Sequence, residues 1–589
     1  MDLNQPGIYL HWSILTISLA NLGVILIMLV IFGLALILPF PRYKVEESRR
    51  TPEGSSLQSE DSGNLMWTAR LRRFLLKWLP PDKLLPDRQP AYVSSWIYVF
   101  GVATLAALVI VILSGLALIT EGPDWWHTNP LGHFFNSVHL WSVELFMAFM
   151  VIHLWGKFWM AAWRGKRALT WIIGMVAFLA SIIQCFTGYL SQQNFDSQWI
   201  AANGKDAINS TGFGSLFNLM NFGQMLLWHT VIIPIGLVAL VGGHVLLVRI
   251  RGVSHPISLQ KAKTNKEKKE IAASYASEWQ GPNIRYDILK EGVLASVIVF
   301  VLTILLAGLF SSPDLPPLTI ASWANKAPAD FMVTAASELA GTSETATYGP
   351  PYNHGRSNVQ GLGISWQTLA GVHERINTGK AFVLSPLEKV ASTNPILADD
   401  LAEYTSAPVS QQKLWAQAYQ NVVSKVSFNS GTPVVPPADD GPVPAMIATE
   451  LVLARSGALD ADLLAMQPFF GTNYTNPLMF LEDGSYFASL AKQQNLNGNQ
   501  WGVMNETGRY PGQPWLWLYT LWYQIPFLAS SSNIDLIAIY LTGLGTILLL
   551  AVPFIPGIRD IPYVIPIHRL IWRRWNRENK KPHQNTGKN

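Results

Sequence analysis

A single cysteine, Cys185, stands in a chain of 589 residues. That count excludes an internal disulfide, a CxxCH haem attachment and a cysteine-ligated iron–sulfur cluster. Cys185 lies in an apolar run and reads as a small buried side chain. Charge is scarce as well, at 14% of the residues against 49% hydrophobic. Such a balance suits a polytopic membrane protein with a sizeable polar portion. The first apolar run, 13–38, has no basic segment before it and no small-residue cleavage site after it, so it reads as an anchor, not a removed signal peptide. His354 and His373 have no companions at metal-ligand spacing and read as ordinary histidines. Negative charge is concentrated in one place. Residues 313–512 carry 17 acidic and 10 basic side chains, about −7, and the chain total of +4 leaves about +11 for the remainder.

Seven runs are long and apolar enough to span a bilayer, near 13–38, 94–119, 136–160, 169–190, 220–248, 292–310 and 536–556. With the N-terminus outside, every basic cluster falls on one side. These clusters are Arg42 to Arg50, Arg164 to Arg167, Arg249 to Lys269, and Arg559 to Arg574. Residues 64–79 interleave Leu65, Trp67, Leu71, Phe74 and Trp78 with Arg70, Arg72, Arg73 and Lys77, which predicts a basic amphipathic helix on the cytoplasmic surface. About two hundred residues between the last two spans face the other side, too many for a structureless connection. Apolar periodicity at 331–339, 414–423 and 446–464 predicts short helices there, with a Pro-rich hinge at 432–444.

Two of the apolar runs carry paired histidines. His139 and His153 are fourteen residues apart, and His229 and His244 fifteen. Histidine is costly in a bilayer and marks a partner or a function. These spacings are close to four helical turns, so each pair shares a face with its members roughly 21 Å apart. Two such helices facing each other offer two stacked bis-histidine sites, a two-haem wire across the membrane. The other two runs carry Gly101 and Gly115, and Gly174 and Gly188, both fourteen apart. Glycine is common in membrane helices for packing alone. The shared repeat instead places four gaps at the depths of the four histidines, where a bulky flat group can approach the backbone.

The block from about Ala91 to Ile257 resembles the N-terminal half of cytochrome b of the cytochrome bc-type quinol oxidoreductases, its chloroplast-type branch most closely. The resemblance rests on NSVHLWS, KRALTW, TGYL, RIRGVSHPI, the paired glycines and the fifteen-residue spacing. GQPWLWLYTLWYQIP and the run after it resemble the quinol-site helix and next span of the family's C-terminal half. The expected fold is therefore an all-α polytopic membrane protein with a four-helix di-haem cytochrome b core. About three further transmembrane helices and an extracytoplasmic, mainly helical insertion complete it. The divisions are an N-terminal anchor and linker (1–63), an interfacial helix (64–90), the di-haem core (91–258), a loop and fifth core-side span (259–311), the insertion (312–512), and a quinol-site-like helix, last span and basic tail (513–589).

The resemblance implies two b-type haems, the outer one on His139 and His229 and the cytoplasmic-side one on His153 and His244, with Gly101, Gly115, Gly174 and Gly188 packing against them. Lys157, Arg164, Arg167, Arg249 and His255 are candidates for propionates or a quinone headgroup; plain positive-inside anchoring is the other reading of the cations. Asn136 and Gln224 stand where the family has arginines. Trp515 to Leu518 stand where it has Pro-Glu-Trp-Tyr, and Ser191 to Asn194 where it has Leu-Pro-Trp-Asp. All these departures fall on the outer side. The missing carboxylate argues against bifurcation to a Rieske protein, because a proton acceptor cannot be leucine. Glu121, Asp124, Asp196 and Glu338 are candidate substitutes.

The expected function is thus that of a di-haem subunit of a respiratory complex in a prokaryotic cytoplasmic membrane, passing electrons between the quinone pool and an outer redox partner without bifurcation. Expected partners are quinone, lipid and other subunits, including a c-type cytochrome or iron–sulfur protein, but no nucleic acid. A conventional bifurcating cytochrome b and a non-redox membrane scaffold are the alternatives.

Overall fold

The computed structural model describes residues 3, 7–41, 45–46, 86–210, 212–214, 216–258, 274–275, 279–348, 376–466, 471–496, 508–512, 517–531 and 534–578. The expected amphipathic helix at 64–79, His354, His373, Trp515 and Leu516 lie outside them.

Among the described residues, six helices are long and apolar enough to cross a membrane. They are α1 (Leu19–Ile37), α2 (Val99–Glu121, after a 3-10 turn at Trp96–Tyr98), α4 (Pro130–Trp159), α5 (Ala168–Leu190), α7 (Phe222–Arg251) and α8 (Ile288–Phe310). Between them lie α3 (Pro123–Thr128) and α6 (Phe195–Ser210). The seventh expected span is a shorter apolar helix, α9 (Ile534–Ala551). The fold is all-α and multi-pass.

Local chemistry sets the helix ends. Asn129 caps α4 by accepting from the Leu131 and Gly132 amides, and Pro130 occupies a first-turn position where its missing N–H costs nothing. Asp287 caps α8 through the Lys290 amide at 3.0 Å. The N-terminal span begins later than its hydropathy suggests. Residues 9–18 form a hairpin, β1 (Tyr9–Trp12) on β2 (Leu15–Ser18), and Ser18 then caps α1 through the Asn21 amide. Hydropathy averages over this hairpin because its residues are as apolar as the helix that follows.

In the bundle α2 packs along α4 and α5 along α7, while α8 lies against α2 and α4 and α9 against α5. Beyond one end of the bundle sits the insertion. The helices expected there form at Pro328–Ala340, Val409–Val423, Val443–Arg455 and Ala458–Ala465. The expected hinge at 432–444 is a correction. Its first part is a strand, Thr432–Val434, paired with Ser427–Asn429, and its last two residues open the helix from Val443.

One hydrophobic cluster takes in residues of both the expected 91–258 core and the expected 312–512 insertion. Leu190, Phe195, Ile200, Leu219 and Phe222 are buried in one cluster with Trp323, Phe331, Phe480 and Phe487 of the insertion. Lys205 of α6, only 6% exposed, places its Nζ 2.6 Å from Glu482. Breaking a buried pair from one side leaves an uncompensated charge, at about 3–5 kcal/mol. Lys205→Met is therefore expected to lower the thermal unfolding temperature sharply, and Lys205→Met with Glu482→Leu to restore most of it. If the single and double variants melted together, the pair would not hold the insertion.

Candidate functional site

The four histidines stand on α4 and α7, and each imidazole is seated on a glycine of the helix behind it. A Cβ added to Gly101 would stand 3.0 Å from His153 Cε1, and one on Gly115 3.1 Å from His139 Cε1. On Gly174 it would stand 2.9 Å from His244 Cε1, and on Gly188 2.9 Å from His229 Nδ1. At these separations a side chain could not be added without moving the ring. The glycines thus make room for imidazoles, where the sequence reading had them admit the edge of a macrocycle.

The helices behind also fix ring orientation. His244 Nδ1 lies 3.1 Å from Thr170 O and His229 Nδ1 3.0 Å from Gln184 O. At His229 the Gln184 side-chain Nε2 also lies 3.0 Å from Nδ1, so Gln184 holds that ring from both its backbone and its side chain. A carbonyl can only accept, so in His244 Nδ1 carries the hydrogen and Nε2 keeps its lone pair. Ser114 does the same for His139. Its hydroxyl donates to Ile110 O and sits 2.9 Å from His139 Nδ1. His153 Nδ1 is buried with no hydrogen-bond partner among the described residues.

His139 and His229 face each other with ring centroids 6.2 Å apart and planes at 86°. Two metal–imidazole bonds of about 2 Å each, added to the reach from each ring centre to its own nitrogen, fill that separation. The residues present therefore fit a group that takes an imidazole on each face.

The unequal spacing of the two pairs has a structural cause. Residues Trp228–Ile232 form a π-helical turn, with the Ile233 amide donating to Trp228 O. A π turn absorbs one extra residue, so fifteen residues on α7 match fourteen on α4. Pro234 follows at once and has no N–H to restore the α-helical ladder there.

The basic residues diverge in role. Arg167, buried, donates to four carbonyls: Gly252 O at 3.1 Å, Arg251 O at 2.9 Å, Val253 O at 3.2 Å and Tyr275 O at 2.9 Å. It caps the end of α7 and leaves little donor capacity for a ligand. Arg164 donates to His255 O at 2.6 Å and stacks over Tyr275, and Lys157 lies over the Tyr98 ring. Arg249 is half-buried near the end of α7. His255, just past α7, has its ring buried against Tyr92 and Trp279. Burial, with Arg167 and Arg164 nearby, pushes the imidazole down to about 4, so it is neutral at physiological pH. Arg167→Gln has two N–H donors and so loses at least two of the four bonds, which is expected to destabilise this end by at least about 3 kcal/mol, since hydrogen bonds to charged donors are each worth about 1.5–3. Arg167→Lys should recover little, because a point charge cannot span four carbonyls. Thermal unfolding that ranks Lys beside wild type would contradict this.

At the other end, amides occupy the two positions where the family has arginines. Asn136 and Gln192 exchange amide hydrogen bonds at 3.1 and 3.2 Å, and Gln224 Oε1 accepts from the Asn218 amide at 2.6 Å. Of the suggested proton acceptors, Glu338 belongs to the insertion core, where it accepts from Ser343 Oγ at 2.6 Å. Asp196 is buried in the first turn of α6. Sequence reading passed over Glu144, whose buried Oε1 has no hydrogen-bond partner among the described residues. Its signal was a lone carboxylate inside an apolar run. Beside α5 lies an apolar cavity of about 1010 Å³. Phe32 of α1, Trp155 and Phe158 of α4, Phe178 and Phe186 of α5, and Leu549 of α9 are among its walls. The expected quinol-site helix is instead broken into Trp517–Leu521, a 3-10 turn at Trp522–Gln524 and Pro526–Ala529, with Leu518 and Tyr519 on the cavity wall.

Residues 144–318 match the family described as cytochrome b(N-terminal)/b6/petB, a span that holds His153, His229 and His244 and begins five residues after His139. The chain is 30% identical to the cytochrome bc complex cytochrome b subunit of Chlorobaculum thiosulfatiphilum, over 31% of this chain and 47% of that one. It therefore spans about half the length of that relative. It is 23% identical to the menaquinol:cytochrome c reductase cytochrome b subunit of Bacillus subtilis, over 30% of this chain and 90% of that one. With cytochrome b6 of Heliomicrobium gestii the identity is 23%, over 28% and 89%. The part of this chain that bears the histidines is thus similar to the cytochrome b N-terminal/b6 family.

Proposed function

We propose that this chain is the di-haem cytochrome b subunit of a respiratory complex, carrying electrons between the quinone pool and a redox partner on the insertion side. The observation that carries this reading is the seating of four imidazoles on four glycines at two depths. His139 and His229 would hold one haem, and His153 and His244 the other. A haem held by two of these imidazoles would supply one-electron transfer and leave no open site for oxygen.

The chain's own residues set the conditions. Thr170 O and Ser114 hold the His244 and His139 rings through Nδ1, which would leave Nε2 as the ligand atom, and Gln184 holds the His229 ring; hydrogen bonding at Nδ1 would raise ligand basicity. Amides at Asn136 and Gln224 leave the insertion-side pair without the positive charge of the family's arginines. The apolar cavity along α5 suits a quinone tail, and Tyr519 stands at its wall. With Cys185 as its one cysteine, the chain relies on another subunit, a c-type cytochrome or an iron–sulfur protein, for its outer partner. The membrane is read as a prokaryotic cytoplasmic one, and the basic clusters support an orientation with the insertion outside. Arg573 and Arg574 of the tail reach Ile37 O and Pro41 O at the end of α1, placing these two segments on one side.

Absence of a carboxylate at 515–518 supports transfer without bifurcation. The test is quinol reduction of the purified complex with its cytoplasmic-side quinone site blocked. Adding oxidant should then oxidise both haems monotonically. A transient extra reduction would show bifurcation and overturn this reading.

A further inference from the structure

We propose that His127 is a proton-operated clasp that fastens the root of the insertion and the connection after α5 to the bundle. Three segments distant in sequence meet at its ring. His127 ends α3; its Nδ1 lies 2.9 Å from Asp314 Oδ1, just past α8, and its Nε2 lies 2.6 Å from Gln192 O, just past α5. Carboxylates and carbonyls only accept hydrogen bonds, so both contacts together require hydrogen on both nitrogens, the imidazolium. Neutral imidazole has one N–H and can keep only one contact. Loss of the proton must therefore release either Asp314 or Gln192.

The groups around the ring agree. Asp314 is shared with His133, whose Nδ1 lies 3.9 Å from Oδ2 and whose Nε2 lies 2.8 Å from Ser311 Oγ. Asp124 stands one turn earlier on α3. Burial lowers the His127 affinity for its proton, but Asp314, Gln192 O and Asp124 outweigh it and hold the ring above its ordinary value of 6.5. A raised folded-state value means the stabilisation is full below about 6.5 and is lost as pH rises through the folded value. The strap that the clasp secures is laced to α4 elsewhere, by Trp141 Nε1 on Ser311 O at 2.7 Å and by Ser137 Oγ on Ser312 Oγ at 3.0 Å. The turn at Gln192 is tied to α4 as well, by the Asn136–Gln192 amide pair, so the release expected there is of its backbone carbonyl and the residues that follow it. That turn leads into α6, whose Ile200, Gly204 and Ile208 form part of the cavity wall. The clasp ties the shape of the cavity's insertion end to pH on that side. This inference stands on the protein fold alone and does not need a haem to be bound.

The experiment is hydrogen exchange on the intact complex in nanodiscs between pH 6 and 9, corrected for intrinsic rates and read on peptides covering 190–200 and 311–318. Wild type should lose about tenfold of its protection at 190–200 as pH rises. His127→Gln should be loose at every pH, and His133→Gln should keep the wild-type response. Asp314→Asn removes the stabilising carboxylate and should move the opening to lower pH, which preserves the test should His127→Gln not assemble. A pH-independent wild type, or a His127→Gln variant that tracks wild type, would overturn the clasp.

Discussion

His229→Leu is expected to halve the haem content, from two per chain to one, and to abolish electron transfer across the bundle. The effect is large because a bis-histidine site has no redundancy. His229 is held in place by Gln184 O at 3.0 Å and faces His139 at 6.2 Å between ring centres; leucine offers no lone pair. The other site should survive, since His153 and His244 sit about four turns away with their own glycine seats. His139→Leu should give the same product. His255→Gln should keep both haems, because that ring is packed among Tyr92 and Trp279. A pyridine haemochrome assay of the three purified variants is the check. Two haems retained in His229→Leu would remove the assignment.

The second large effect needs no change at a ligand. Gly174→Val should displace the His244 ring, because even its first added carbon would stand 2.9 Å from His244 Cε1. Overpacking a close-fitted contact costs about 1–3 kcal/mol. Since 1.4 kcal/mol is tenfold in an equilibrium constant, haem retention at that site should weaken roughly 5- to 150-fold. Gly243→Ala is the matched control. It adjoins His244 in sequence, yet a Cβ there meets nothing within 4 Å. Haem loss on dilution should separate the two variants, and equal retention would mean the glycines serve helix packing alone.

How much of this was readable beforehand varies residue by residue. The four histidines and four glycines could be paired from sequence because a repeat of four turns survives folding unchanged in a straight helix. The fifteenth residue of the second pair could be counted but not explained. A π turn leaves no reliable mark, and only Pro234 hinted at it. The shared hydrophobic core was not legible, since Phe195 and Phe487 are brought together across nearly half the chain. The same holds for His127 and Asp314, 187 residues apart. Neither residue carries a local pattern that singles it out. Hydropathy misplaced the start of α1 because a hairpin rich in Leu, Trp and Ile reads like membrane helix. The surroundings of His255 could not be read either, because Tyr92 and Trp279, which pack on its ring, are distant in sequence.

The central claim is that two haems are stacked between α4 and α7. The most direct measurement is haem per chain in the purified wild-type protein, taken with a redox-titrated optical spectrum. The account predicts two b-type haems per chain, both low-spin, with two resolvable midpoints. One haem or none would contradict it.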